Sequence, residues 1–222
     1  MTDHASIEVE TAEMLREYGP YPDAPQVNGV TFDGRLVWLA IGHSLIAIAP
    51  ETGEVARSLA LPARAGSAFD GRFLYQISGD AIQKIDHQTG RVVSQLKAPR
   101  QGLSGMAWAD GFLWIGEYKA GQVHQVDPET GEIVRTLQSN RYVTGVTWVQ
   151  GELWHGTMVD DQSELCEIDP RTAAVRRRIA LPQGSLVSGL ESNGTDVFYC
   201  GGADSGKLRA VRRSERRKRS AL

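Results

Sequence analysis

Residues 103–137 read LSGMAWADGFLWIGEYKAGQVHQVDPETGEIVRTL. Four runs in this stretch, 105–108, 112–116, 122–126 and 132–137, are rich in β-branched or aromatic residues. They are too short to bury their apolar side chains as helices, so each predicts a strand. Asp110-Gly111 and Asp127-Pro128-Glu129-Thr130-Gly131 lie between runs, where glycine takes the positive φ of a hairpin and aspartate tolerates it better than most residues. The predicted unit is a four-stranded meander. One such unit cannot shield its own faces and needs copies of itself.

The copies are present. A glycine three residues before an aromatic recurs as Gly29, Gly66, Gly105 and Gly145, and Gly189 holds the same place in a degenerate fifth copy. The intervals are 37, 39, 40 and 44 residues. The second strand repeats as LVWLA, FLYQI, FLWIG, ELWHG and VFYCG, and the second turn as PETGE, HQTGR, PETGE and PRTAA. A period near 40 residues with four strands per copy predicts an all-β fold, a five-bladed β-propeller of four-stranded antiparallel blades. An ordinary β-sandwich predicts no such regular copies. The expected blades are 28–62, 65–99, 103–138, 143–182 and 187–213. The last copy has only three strands of its own. Residues 7–18 (IEVETAEMLREY) therefore predict its outer strand, which closes the ring and removes two sheet edges. Helix propensity in Ala12–Leu15 argues the other way.

Composition narrows the class. The chain has 222 residues, 41% of them hydrophobic, with 24 glycines, as expected of one turn-rich domain. The apolar run Leu36–Ala49 is broken by Gly42-His43-Ser44 and is too short to span a bilayer, so no membrane association is expected. The N-terminus MTDHASIEVE is polar and acidic, unlike a signal peptide, and a cytoplasmic location is expected. Cys166 and Cys200 fall in different blades and form neither a disulfide framework nor a CxxC metal site. Residues 207–222 carry eight of the 24 Lys and Arg, giving this end +7 and the rest −10. Residues 214–222 are expected to be a disordered basic tail. With no aromatic interleaved among the arginines, nucleic-acid binding is not expected.

The candidate site residues follow from the repeat. Asn28, Ala65, Ser104, Thr144 and Ser188 precede the inner-strand glycines and are expected at one mouth of the central channel. The four polar ones are candidate substrate-binding residues, or residues that bind channel water and backbone. Linkers running back to the next inner strand share that face and bring Arg64, Arg100, Arg141 and Tyr142. Of these, Arg141 and Tyr142 are candidates for substrate binding. His155 and Glu117 interrupt apolar or small series on second strands and are the candidates for proton transfer; the alternative for such a histidine is a hydrogen-bonded core residue. Glu191 stands where other blades keep Thr31, Ala68, Ala107 and Thr147. A carboxylate there needs a partner, a metal or water. Glu191 and His43 are the candidate ligands for an optional divalent metal ion. His4, His87 and His124 read as structural or solvated, and the five tryptophans as packing between blades. No nucleophile elbow, phosphate loop or dinucleotide fingerprint appears.

The unit LWIGEYKAGQVHQVDPETG resembles the repeat of streptogramin (virginiamycin B) lyases and gluconolactonase-like propellers. The segment Tyr18 to Gly29, followed by a second strand and TGEV, resembles the start of glutamine cyclotransferases, which are five-bladed. The resemblance implies a pocket at the channel mouth acting on a small molecule or peptide end by cyclotransfer, lyase or lactonase-like chemistry. Two positions depart from the cyclotransferase pattern. That group bears a glutamate after the aromatic of the second strand of blade one, where this chain has Leu39. Its inner-strand motif is roughly Thr-Gln-Gly-Leu, where this chain has Gln26-Val27-Asn28-Gly29. The lyases have more blades, and their histidines have no clear match in His43 or His155. The alternative function is a non-catalytic propeller that binds a ligand or protein on its loop face, assisted by the basic tail.

Overall fold

Five of the turns are wired by an aspartate. Asp33 Oδ1 accepts from the backbone amides of Arg35 (2.9 Å) and Leu36 (2.7 Å), and Asp70 does the same for Arg72 and Phe73. In the second turns Asp86, Asp127 and Asp169 each accept two amides in the same way. Asp110 and Gly111 have φ of 52° and 83°, as do Gln150 and Gly151 at 50° and 80°. Those values make both hairpins the type whose twist matches the flanking strands.

The computed structural model describes residues 7–21, 23–159 and 162–213. Two strands, β1 (Val9–Thr11) and β2 (Met14–Tyr18), precede the repeats. Blade one is β3–β6 (Gly29–Phe32, Val37–Ala40, Leu45–Ile48, Val55–Leu59) and blade two β7–β10 (Ser67–Phe69, Leu74–Ser78, Ala81–Asp86, Arg91–Lys97). Blade three is β11–β14 (Leu103–Ala109, Phe112–Glu117, Gln122–Val126, Ile133–Gln138) and blade four β15–β18 (Val146–Val149, Glu152–Val159, Gln162–Ile168, Val175–Ala180). Blade five is β19–β21 (Gly189–Ser192, Val197–Gly201, Leu208–Arg212) with β2 on its outer edge. The five inner strands neighbour one another in ring order around the axis. No helix of the described residues is long and apolar enough to cross a membrane.

The ring closes through the N-terminal segment, with one correction. Only Met14–Tyr18 completes blade five, antiparallel to Leu208–Arg212. Val9–Thr11 instead runs parallel to Val175–Ala180 as a fifth strand of blade four. The two strands cannot share one sheet because Ala12 donates to Ala180 O (2.8 Å) while Glu13 O accepts from Arg212 N (2.9 Å). The chain thus steps between blades at these two residues. The expected tail, 214–222, lies outside the described residues. Arg213, the last described residue, is held by Glu152, Gln150 and Thr195 O at the first-turn side of the blades, opposite the mouth.

The aromatic series packs the blades together. Rings meet across successive interfaces as Tyr75–Trp108 (5.5 Å), Trp114–Trp148 (5.3 Å), Trp154–Phe198 (5.1 Å) and Phe32–Tyr199 (5.8 Å). Such pairs contribute about 1 kcal/mol each beyond their buried area. Between blades one and two, His87 stands edge-on to both Trp38 and Phe69 and takes the place of a direct pair. At the axis the conserved spacing of glycine has a steric cause. A Cβ on Gly66 would lie 2.5 Å from Met106 N, on Gly105 2.4 Å from Val146 N, and on Gly145 2.4 Å from Leu190 N. Backbone meets backbone there, so the inner strands of neighbouring blades pack closely and narrow the channel at the glycines.

Candidate functional site

Above the glycine pinch, a cavity of about 490 Å³ opens on the loop face. All five blades wall it, because the residue before each inner-strand glycine sits at its floor. Asn28, Ala65, Ser104, Thr144 and Ser188 all line it. Leu103, Tyr118, Met158, Leu186 and Val187 form an apolar side, while Arg64 and Asp204 carry its charges. A larger open groove of about 660 Å³ lies at the opposite face, at the seam of blades one and five. It is bordered by segments of two blades only, whereas residues of all five blades converge on the mouth, which makes the mouth the candidate site.

Much of the polar floor is already committed. Ser104 Oγ donates to Val143 O (2.7 Å) and Ser188 Oγ to Gly201 O (3.0 Å), with a short contact to Val27 O. The Val143 and Val27 carbonyls belong to neighbouring blades and the Gly201 carbonyl to the second strand of blade five itself. Asn28 Nδ2 donates to Gln26 Oε1 (3.2 Å), and Gln26 Nε2 donates to Asp204 Oδ1 (2.7 Å). Thr144 is 5% exposed, and its hydroxyl has no hydrogen-bond partner among the described residues.

The remaining candidates are dispersed. Arg141 lies beside the mouth without lining it, its guanidinium donating to Glu164 (3.3 Å). Tyr142 also stands outside, its ring 5.0 Å from that of Tyr118, which does line the cavity. His43 is an exposed loop residue beside the Gly42–Ala63 bridge and is not part of the wall.

His155 is 1% exposed and belongs to the interior between blades three and four. Its Nδ1 meets Gly156 O (3.0 Å) and its Nε2 the Ser139 hydroxyl (3.3 Å). Burial, with Arg141 nearby, lowers its pKa and keeps the ring neutral. Glu117 turns to another histidine, accepting from His124 Nε2 (3.0 Å), whose Nδ1 meets Thr136 Oγ1 (2.9 Å). That makes a carboxylate–imidazole–hydroxyl chain across three strands of blade three, with exposed Thr136 on the outer one. His155 and Glu117, the two candidates for proton transfer, thus have separate hydrogen-bond partners. Second strands stand one place out from the axis, so their side chains alternate between two inter-blade interfaces. Leu39, Gln76, Ile115 and Cys200, the equivalents of His155, are likewise 0% exposed.

Glu191 does face the axis, but below the pinch. Its carboxylate accepts from Thr31 of blade one (3.0 Å), Thr147 of blade four (2.6 Å) and the amide of Ser192 (2.8 Å). Burial raises its pKa to about 7 against these hydrogen bonds, to which the Phe32 amide adds. Glycines separate it from the mouth and from His43, so the two candidate metal ligands are not brought together. No group of three or more His, Cys, Asp or Glu among the described residues is arranged to hold a metal ion. The thiols of Cys166 and Cys200 are pushed up to about 11 and about 12 by burial, which leaves them unreactive.

Sequence reasoning placed the floor correctly and missed most of the wall. Tyr118, Met158, Ala203 and Asp204 lie in or beside loops after second strands, where no repeat pattern marks them. Arg64 carried a signal through its place in a linker of the loop face.

No protein-family model and no curated protein sequence matches the chain. Among solved structures, Myxococcus xanthus glutaminyl cyclase matches with a TM-score of 0.77 at 17% identity, over 92% of this chain and 98% of that one. A chain of the mitotic checkpoint complex matches at 0.58 and 13% identity, over 97% and 95%. Kuenenia stuttgartiensis hydrazine synthase matches at 0.51 and 19% identity, over 80% of this chain and 56% of that one. At these identities the likeness is one of fold, and what it establishes is a five-bladed β-propeller of the architecture seen in the bacterial glutaminyl cyclase.

Proposed function

We propose that this propeller binds a small amphipathic molecule or a peptide end in the mouth cavity and does not transform it. The observation behind this reading is the chemistry of the wall. Among the described residues its charged members are Arg64 and Asp204, and neither histidine nor glutamate lines it. The serine hydroxyls point their protons at backbone carbonyls rather than at a base. Binding there leaves the fold unstrained, since the floor is already fixed by inter-blade hydrogen bonds. A cytoplasmic location, as the N-terminal composition suggests, fits such a binder.

The test is a ligand screen by NMR on the wild-type protein and on Met158→Trp, which fills the mouth with a larger ring. Compounds whose binding shifts the amides of Ser104, Thr144 and Ser188 in the wild type and is lost in the variant support the reading. Failure of every compound to shift those amides would remove it.

A second reading, cyclotransferase-like catalysis, is favoured by the near-complete match to glutaminyl cyclase in fold. Against it, the place where that resemblance puts a glutamate holds Leu39, 0% exposed inside an apolar cluster. Ammonia release from peptides beginning with glutamine, lost in Asp204→Asn, would favour this second reading over the first.

A further inference from the structure

We infer that the mouth recognises a zwitterion with an apolar body, that is, a short peptide with its ammonium and carboxylate both free. The inference rests on the mouth being a ligand site and names what the ligand is. Blade one lies between blades five and two in the ring, so Asn28 at its inner strand is flanked by Asp204 on one side and Arg64 on the other.

On the Asp204 side, hydrogen bonds run one way. Asn28 donates to Gln26, and Gln26 donates to Asp204 Oδ1. One proton of each side-chain amide is committed to this chain, and Asn28 Oδ1 and Asp204 Oδ2 remain on the same side of the mouth as acceptors with no donor among the described residues. Two acceptors on one side, one of them charged, suit an ammonium group with its three protons.

On the other side, Arg64 is exposed and makes no ion pair or hydrogen bond with a described residue. Its planar fork of donors suits a carboxylate. The two opposite charges border one cavity without pairing with each other. A ligand carrying one charge would leave the other pole unanswered.

The apolar lining decides the body of the ligand. Leu103, Tyr118, Met158 and Leu186 line the same cavity from blades three, four and five, and their aliphatic and aromatic surface suits an apolar body. A single apolar dipeptide meets all of these features at once.

Isothermal titration of wild type, Arg64→Gln and Asp204→Asn with leucyl-leucine, N-acetyl-leucyl-leucine and leucyl-leucinamide tests the assignment. Both substitutions are at exposed positions, and the chemical caps leave the protein unchanged, so loss of folding cannot imitate the result. Each cap is expected to weaken binding to the wild type about five-fold, the scale of a solvent-exposed charge pair. The amide cap should cost nothing in Arg64→Gln, and the acetyl cap nothing in Asp204→Asn. Equal binding of capped and free dipeptides, or cap penalties that persist in the matching variants, would overturn the inference. If uncharged compounds shift the mouth amides while leucyl-leucine does not bind, the inference fails and the mouth stands as a ligand site. If leucyl-leucine binds Met158→Trp as well as wild type, its site is elsewhere and the assignment to the mouth fails.

Discussion

Replacing Glu191 with glutamine should remove most of the pH dependence of stability between pH 5 and pH 8. The carboxyl sits on the axis with its oxygens held from blades one, four and five, and burial moves its pKa from 4.5 to about 7. The folded state therefore binds this proton more tightly than the unfolded chain. Its contribution is fully present below about pH 4.5 and is lost as the pH rises through about 7. A shift of that size corresponds to about 3 kcal/mol at the most. Part of the side chain is reached by solvent, so about 2 kcal/mol is the working expectation.

The assay is urea unfolding of both proteins across the pH range, read as the difference in unfolding free energy. Taking the difference matters because other groups titrate nearby. Buried His155 has a lowered pKa, so its contribution grows as the pH rises toward 6.5, opposite in sign to Glu191. Carboxylates with lowered pKa, such as Asp169 at about 2, act only as the pH falls further. These terms are common to both proteins and cancel. Glutamine also cannot accept on its amide side, where donors approach in the wild type, and this adds a pH-independent cost of about 1–2 kcal/mol. Parallel curves for the two proteins from pH 5 to pH 8 would refute the account and mean that water solvates this carboxylate.

Three further outcomes follow from the packing. Gly105→Ala should cost about 3 kcal/mol or more in chemical denaturation, because the added carbon meets the Gly145–Val146 backbone at 2.4–2.5 Å; an effect below 1 kcal/mol would mean that the inner strands can move apart. Glu152→Ala should cost about 3–5 kcal/mol, since it strips the carboxylate that Arg177 and Arg213 share at 2.8 Å and leaves two largely buried guanidiniums without it, and a thermal melt within a degree or two of wild type would contradict this. Deleting residues 1–12 removes the parallel strand on blade four and the Ala12–Ala180 hydrogen bond, and the protein should still unfold in one cooperative transition in chemical denaturation. Deleting residues 1–18 also removes the strand that closes blade five and should abolish the cooperative transition.

The repeat of glycine, aromatic and turn residues fixed what depends on local physics. Aspartate-glycine hairpins, strand parity and a period near 40 residues are properties of short stretches, so blade number and the mouth-floor residues Asn28, Ser104, Thr144 and Ser188 were legible in one dimension. The fate of a side chain on a second strand was not, because it depends on which neighbouring blade it meets. His155 and Glu117 stood out equally in the repeat, yet one is sealed against Ser139 and the other paired with His124. The division of residues 7–18 between two blades also needed the assembled ring, since only there do Ala180 and Arg212 lie close enough to draw Ala12 and Glu13 in different directions. Tertiary structure alone decided that Glu191 is held by Thr31 and Thr147 away from the mouth, and that Arg64 and Asp204 line one cavity.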